Sequence, residues 1–361
     1  MTSPIAILKP DHLGDLVLAA PAIRAIRGKY DNVTLFVASR SLALARFLFP
    51  EIPDVRGVDL RHLARRQVEG DAAATLPGEL NRFDHVVCLR DDAVMRDIVA
   101  RLSVPYTMVS SNDFVHETSL HKHAVECITG PYSRTRLFSD MPPAWPRQPR
   151  HVGLCIAAGF PTNLWAMVRW RELAALLGGM DIELTLIGGP RERDELRMLS
   201  RLSRRVRHQV LIGDDDFSGF LQALEPVDLI VATDGGTAHI CSLRKPVCSI
   251  FGPGPWRRYA PFGRQNVVLT REEPCSPCLQ FSTTSVNCCV TRECMARIEP
   301  RTVMRVVASN GSARGLRIER GVSHGYEMPG QCAPSRCVLP ALPGNIDVPA
   351  AYPPGGTANA R

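Results

Sequence analysis

Apolar residues along this chain fall into short, nearly unbroken runs: residues 5–9, 33–38, 84–89 and, more weakly, 105–109. Further runs follow at 152–157, 182–187, 210–213, 229–232, 247–251 and 267–269. A strand covered on both faces has no polar face to alternate with, so such runs predict buried parallel strands. Between them the apolar period lengthens to that of a helix, over 16–27, 42–48, 94–102, 169–177, 217–224 and 300–307, and from Glu192 through Leu196 and Leu199. Strand and helix alternate, and several strands run into glycines, as at Gly188-Gly189 and Gly235-Gly236. That alternation predicts an α/β protein built on doubly wound parallel sheets.

The pattern fails in two places. Met141-Pro142-Pro143-Ala144-Trp145-Pro146 and Pro149 form a proline-rich connector, which divides the chain into domains over 1–147 and 150–308 with a cleft between them. From about Ser309 periodicity is lost and Gly, Pro, Ser and Ala accumulate, so 309–361 is expected to be a disordered tail.

Charge and composition change this picture only slightly. Forty-three Lys and Arg against 36 Asp and Glu leave a formal charge of +7, which suits an anionic substrate or membrane surface. The arginines are not interleaved with aromatics, so a nucleic-acid partner is not expected. No apolar run reaches the length of a membrane span and no signal peptide is read, so a cytoplasmic location is expected. Twelve cysteines in a cytoplasmic chain of 361 residues point to thiols or a metal site rather than a disulfide scaffold.

The stretch richest in chemistry is Asp234-Gly235-Gly236-Thr237-Ala238-His239, where a buried strand ends in a glycine pair and a helix starts at once. Glycines let a ligand approach the backbone, and the N–H groups of a starting helix attract an anion such as phosphate. Asp234 and His239 can hydrogen-bond a ribose or a base; the same residues also suit a capped turn with a core histidine. A second strand–turn–helix unit carries Leu13-Gly14-Asp15 near the start of the chain. A helix N-terminus favours the ionised form of Asp15, which keeps it available as a base; it would equally stabilise the helix alone. His116, His121 and His123 fit no compact metal site and are expected at the surface or beside substrate. Cys275 and Cys278 have metal-ligand spacing, and Cys288 or Cys289 with Cys294 could complete four thiolates around a structural zinc or iron.

Leu13-Gly14-Asp15 together with Asp234-Gly235-Gly236-Thr237-Ala238-His239 resembles the bacterial ADP-heptose:lipopolysaccharide heptosyltransferases, glycosyltransferase family nine. Pro21-Ala22-Ile23-Arg24-Ala25-Ile26-Arg27, Trp165 with Arg169-Trp170, Ile187-Gly188-Gly189 with Glu192, and Ile250-Phe251-Gly252-Pro253 extend the likeness over residues 4–308. The resemblance implies a GT-B architecture, two Rossmann-like domains facing a central cleft, the first for the acceptor and the second for the nucleotide-sugar donor. It implies Asp15 as catalytic base, and Asp234, Gly236, Thr237 and His239 around the ADP of the donor, with Glu192 near the ribose. No cofactor is implied for catalysis. The implied partners are an ADP-sugar and the inner core of lipopolysaccharide or a related glycan, met in peripheral contact with the inner membrane surface. Two positions depart from the family pattern: Asn163 stands where a lysine usually meets the diphosphate, and Gly235 where Ser or Thr is usual. Phosphate stabilisation would then fall to Arg169, another basic residue or backbone amides. Two alternatives stay open on these residues, another nucleotide-sugar enzyme such as an epimerase and a catalytically silent binding protein of the same architecture.

Overall fold

Five parallel strands make the first sheet of the computed structural model, which describes residues 3–60, 72–138, 144–202, 204–211, 216–271, 273–275, 278, 292–309 and 317–320. Its elements are β1 (Ile5–Lys9), α1 (Leu13–Lys29), β2 (Val33–Val37), α2 (Leu42–Leu48), β3 (Asp54–Gly57), α3 (Ala72–Leu80), β4 (His85–Cys88), α4 (Ala93–Ala100) and β5 (Tyr106–Met108), then α5 (Glu117–Thr129) and α6 (Arg134–Leu137). The strand order is β3-β2-β1-β4-β5. Every residue of β1 and β2 is buried, which is why these strands read as continuous apolar runs.

The second sheet holds β6 (His151–Cys155), α7 (Met167–Gly178), β7 (Glu183–Gly188), α8 (Arg193–Leu202), β8 (Val206–Leu211), α9 (Phe217–Ala223), β9 (Leu229–Thr233) and α10 (Gly236–Cys241). It continues with β10 (Val247–Phe251), α11 (Trp256–Tyr259), β11 (Val267–Thr270), α12 (Glu293–Ala296), α13 (Pro300–Ala308) and β12 (Arg317–Arg320). The order is β12-β11-β10-β9-β6-β7-β8, parallel except for the antiparallel pairing of β12 with β11. Both sheets are therefore doubly wound, as the alternation of the sequence requires.

Several elements depart from the sequence reading, among them the helices α3 and α5, which it did not identify. β8 starts at Val206, not near residue 210, because Arg207, His208 and Gln209 lie on an exposed edge strand that needs no apolar run. β3 is likewise a polar edge strand. Residues 317–320, inside the segment expected to be a disordered tail, pair with β11. The other residues beyond 309, and 139–143 of the proline-rich connector, lie outside the described residues.

Apolar packing does not stop at the boundary between the sheets. One cluster takes in Leu16, Ala20, Leu44 and Phe138 from the first half and Phe217, Ala238, Ile240 and Phe262 from the second. Phe47 faces Phe217 at 6.4 Å between ring centroids, and Phe138 faces Phe262 at 5.0 Å. A separate core under the second sheet joins Trp170, Leu173 and Leu177 of α7 to Val303, Val306 and Val307 of α13.

Candidate active site

In each sheet the winding reverses once, between β1 and β4 in the first and between β6 and β9 in the second. A crevice for ligand opens at such a point, outside the carboxyl ends of the strands. Lys9 and Asp11 leave β1 there, Arg90 follows β4, Asn163 follows β6 and Asp234 follows β9.

Both sequence motifs lie at these points, and they touch. A Cβ on Gly14 would come within 2.6 Å of His239 Cδ2, and one on Gly236 within 3.2 Å of Leu13 Cβ and 3.4 Å of the Gly14 amide nitrogen. α1 and α10 thus approach closely near their starts; at Gly14 a side chain would clash, and at Gly236 it would be tight. This contact brings Asp15 up to the loop that holds Asp234 and His239.

Electrostatics pull the two aspartates in opposite directions. Asp15 is half-buried, with His12 Nδ1 3.7 Å from its Oδ2. Burial pushes its carboxyl up, but His12 and the Lys9 ammonium outweigh that and hold it at about 2, so it is ionised at neutral pH. Asp234 is 7% exposed. Burial, reinforced by the charge of Asp15, pushes it up to about 7 against a restraining hydrogen bond from Asn163. Burial also drives His239 down to about 4, so its imidazole is neutral, and its Nδ1 finds no hydrogen-bond partner among the described residues.

Behind Asp15 lies a charged cluster that sequence reading missed. Lys9 is 2% exposed; its Nζ donates to Leu89 O at 2.8 Å and pairs with Asp11 at 2.9 Å and Glu117 at 3.5 Å. Burial alone would favour the neutral amine, but Asp11, Glu117 and Asp15 keep Lys9 charged. Glu117 is also reached by Arg258 of the second half at 2.7 Å and by His121 at 3.2 Å. Burial is overcome and its carboxyl is held well below the usual range. The readable signal was a lysine closing an apolar strand with an aspartate two residues on; Glu117 and Arg258 carry no such mark.

Glu117 belongs to a helix, α5, that the sequence reading did not identify, and this corrects the expectation for the histidines. His116 and His121 are buried and neither is a surface group. His116 Nε2 donates to Ala260 O of the second half at 2.9 Å, while Nδ1 lies 2.9 Å from Thr118 Oγ1. Burial lowers it to about 4, so it stays neutral. His123 is half-buried.

The remaining expected residues fall as follows. Thr237 sits half-exposed on α10. Glu192 accepts the Gly189 amide through Oε2 at 2.8 Å, at the carboxyl end of β7. Asn163 is buried against Asp234. Arg169 does not lie free for a phosphate: NH1 donates to Ile298 O at 3.2 Å, beside the Trp165 indole, which donates to the same oxygen at 3.0 Å. Cys275 is exposed, Cys278 half-buried and Cys294 buried in the second core, whereas Cys288 and Cys289 lie outside the described residues. Among the described residues no three His, Cys, Asp or Glu side chains are placed to share a metal.

Known proteins similar to this chain share one family description. The model of glycosyltransferase family 9 (heptosyltransferase) matches residues 123–288. Lipooligosaccharide heptosyltransferase 2 of Campylobacter jejuni is 22% identical over 326 residues, which cover 84% of this chain and 98% of the relative. Lipopolysaccharide heptosyltransferase 1 of Pseudomonas aeruginosa is 29% identical over 126 residues, 34% of each chain. Among solved structures, the E. coli heptosyltransferase WaaC with ADP superposes with a TM-score of 0.60 at 14% identity, covering 85% of this chain and 99% of that one. E. coli ADP-heptose lipopolysaccharide heptosyltransferase II gives 0.56 at 13%, covering 85% and 98%. The structural likeness establishes the fold as the two-domain GT-B architecture.

Proposed function

We propose that this chain is a heptosyltransferase of the glycosyltransferase family 9 kind, acting in lipopolysaccharide core synthesis, and that it transfers a heptose from ADP-heptose with inversion at the anomeric carbon. Asp15 takes the proton from an acceptor hydroxyl as that oxygen attacks the anomeric carbon. The bond from that carbon to the diphosphate breaks on the opposite face, and ADP carries the negative charge away. A carboxyl held at about 2 is ionised throughout the physiological range, so the base is always present.

The donor lies against Asp234, Gly236, Thr237 and His239, with Glu192 at the ribose and Asn163 beside Asp234. Backbone N–H groups around Gly236 and Thr237 stabilise the leaving diphosphate. Residues 1–147 hold the acceptor and 150–308 the donor. The acceptor is the phosphorylated inner core of lipopolysaccharide or a related glycan, presented at the inner face of the cytoplasmic membrane, and the net charge of +7 favours such an anionic partner.

The observation that carries this reading is the contact of Gly14 with His239, which sets an ionised carboxylate beside the second strand-end loop. Asp15→Asn keeps the shape and removes the base. Turnover of ADP-heptose with a lipopolysaccharide-core acceptor should fall by roughly 10²–10⁴-fold while ADP affinity stays within about threefold. Turnover within tenfold of the unsubstituted enzyme overturns the assignment.

A further inference from the structure

Three helices cover one face of the second sheet. α7 packs against both α13 and α8. All three turn their apolar residues into one core, with Trp170 and Leu173 from α7, Leu196 and Leu199 from α8, and Val303 and Val306 from α13.

The outward side of this layer is basic. The three helices carry seven arginines and three carboxylates. Arg193, Arg197 and Arg201 are exposed at successive i, i+4 positions of α8, where like charges repel and weaken a helix. Arg171, Arg201 and Arg301, one on each helix, are exposed and their guanidinium groups meet no partner among the described residues.

The same layer also holds apolar groups in the open. Among the described residues five large apolar side chains are well exposed, and four lie on or beside α7 and α8: Leu164 at 41%, Val168 at 65%, Met180 at 45% and Met198 at 39%. The fifth, Phe114, belongs to the first half. One such residue alone means little; four gathered among unpaired arginines make a face of two characters. A nucleic acid would be met by aromatic side chains as well as cations, and no aromatic residue of these helices is exposed. A soluble polyanion would satisfy the arginines and leave the apolar groups in water. A bilayer of anionic lipid takes both, its phosphates meeting guanidinium groups while apolar tips enter the boundary of the acyl chains. No helix of the described residues is long and apolar enough to cross a membrane, so the contact is one of surface.

We infer that the outer face of α7, α8 and α13 docks on a bilayer of anionic phospholipid. Leu164 and Val168 follow β6, and Arg191 follows β7, so this end of the layer stands beside the crevice. Docking therefore brings the crevice rim down to the headgroups. The inference rests on the proposed function only for the place where the acceptor is met; the surface itself is identified by its charge and exposure.

Co-sedimentation of the full chain with vesicles tests it, using phosphatidylcholine alone and phosphatidylcholine mixed equally with phosphatidylglycerol. The unsubstituted protein should bind the mixed vesicles and not the neutral ones. An arginine near an anionic leaflet strengthens binding about fivefold, so Arg171→Gln, Arg201→Gln and Arg301→Gln together should weaken it at least about tenfold. The control set is Arg46→Gln, Arg82→Gln and Arg136→Gln, exposed arginines of the first half. It removes the same charge and should cost less than about threefold. Both sets should melt with the unsubstituted protein. Equal losses from the two sets would assign the binding to net charge and overturn the inference, as would equal binding to both vesicles or none to either. Retention on heparin without vesicle binding would give the face to a soluble polyanion and overturn it too. Turnover of ADP-heptose with a deacylated, soluble core acceptor is measured apart from vesicles. If that turnover is absent while the vesicle pattern holds, the heptose assignment fails and the docking face stands.

Discussion

Gly14→Ala isolates the contact on which the site depends. In a helix, alanine is ordinarily the better residue by about 0.5–1 kcal/mol. At Gly28, on the same helix α1 and exposed, a Cβ would meet nothing within 4 Å, so Gly28→Ala should show that gain. At Gly14 the new methyl would lie 2.6 Å from His239 Cδ2, about 1 Å inside an ordinary carbon contact. His239 is 4% exposed and cannot swing into solvent. Overpacking of this kind costs about 1–3 kcal/mol, which leaves a net loss of about 1–2 kcal/mol after the helix gain. Urea unfolding of the two variants side by side measures stability, and ADP titration measures what displacing His239 does to the donor side. Gly14→Ala should be the less stable by about 2 kcal/mol and should bind ADP more weakly. If it matches Gly28→Ala in stability and the unsubstituted enzyme in ADP affinity, the two helix ends do not meet as described.

Asp234 sets a pH dependence of stability. Its carboxyl is raised to about 7 from 3.8, so the folded state holds the proton more tightly, and this contribution is full below about pH 4 and lost as pH rises through 7. Asp234→Asn cannot titrate, so its stability relative to the unsubstituted chain should improve between pH 4 and 8, by up to roughly 4 kcal/mol at 1.36 kcal/mol per unit; denaturation midpoints that keep a constant gap would contradict it. Arg258→Ala removes a partner of the buried Glu117 and should cost about 3 kcal/mol. Combined with Glu117→Gln the loss should fall short of the sum by more than about 1 kcal/mol, and strictly additive losses would show that the pair is not coupled.

Much of this was readable in the sequence because burial on both faces writes itself as an apolar run. β1, β2, β6, β9 and β10 are fully buried, and all five were legible. The edge strands β3 and β8 were not recognised or were placed short, since a strand with one open side keeps polar residues. Leu13-Gly14-Asp15 and Asp234 through His239 stood out because glycines at strand ends mark close approaches, and that approach is what the structure contains. The buried charges behind Asp15 were only partly visible: His12 and Lys9, which hold it ionised, are close in sequence, but the partners of Lys9 are not. Glu117 and Arg258 lie 141 residues apart, and no local pattern announces that they meet. His116 misled for a related reason: a buried imidazole that meets a carbonyl 144 residues away looks the same in sequence as an exposed one.

The apolar cluster shared by the two halves limits how the enzyme can open and how it can be engineered. A wide swing that separated Phe138 from Phe262 and Phe47 from Phe217 would expose apolar surface that is now packed. Sliding of the packed helices would keep more of this surface covered than a hinge that parts the two faces. For the same reason neither half is a free-standing module. A chimaera that joined the first half to a relative's second half would need the matching faces of α2, α9 and α10 carried over with it. Grafting the Asp234–His239 stretch alone would replace His239 and so disturb its contact with Gly14, and with it the placement of Asp15.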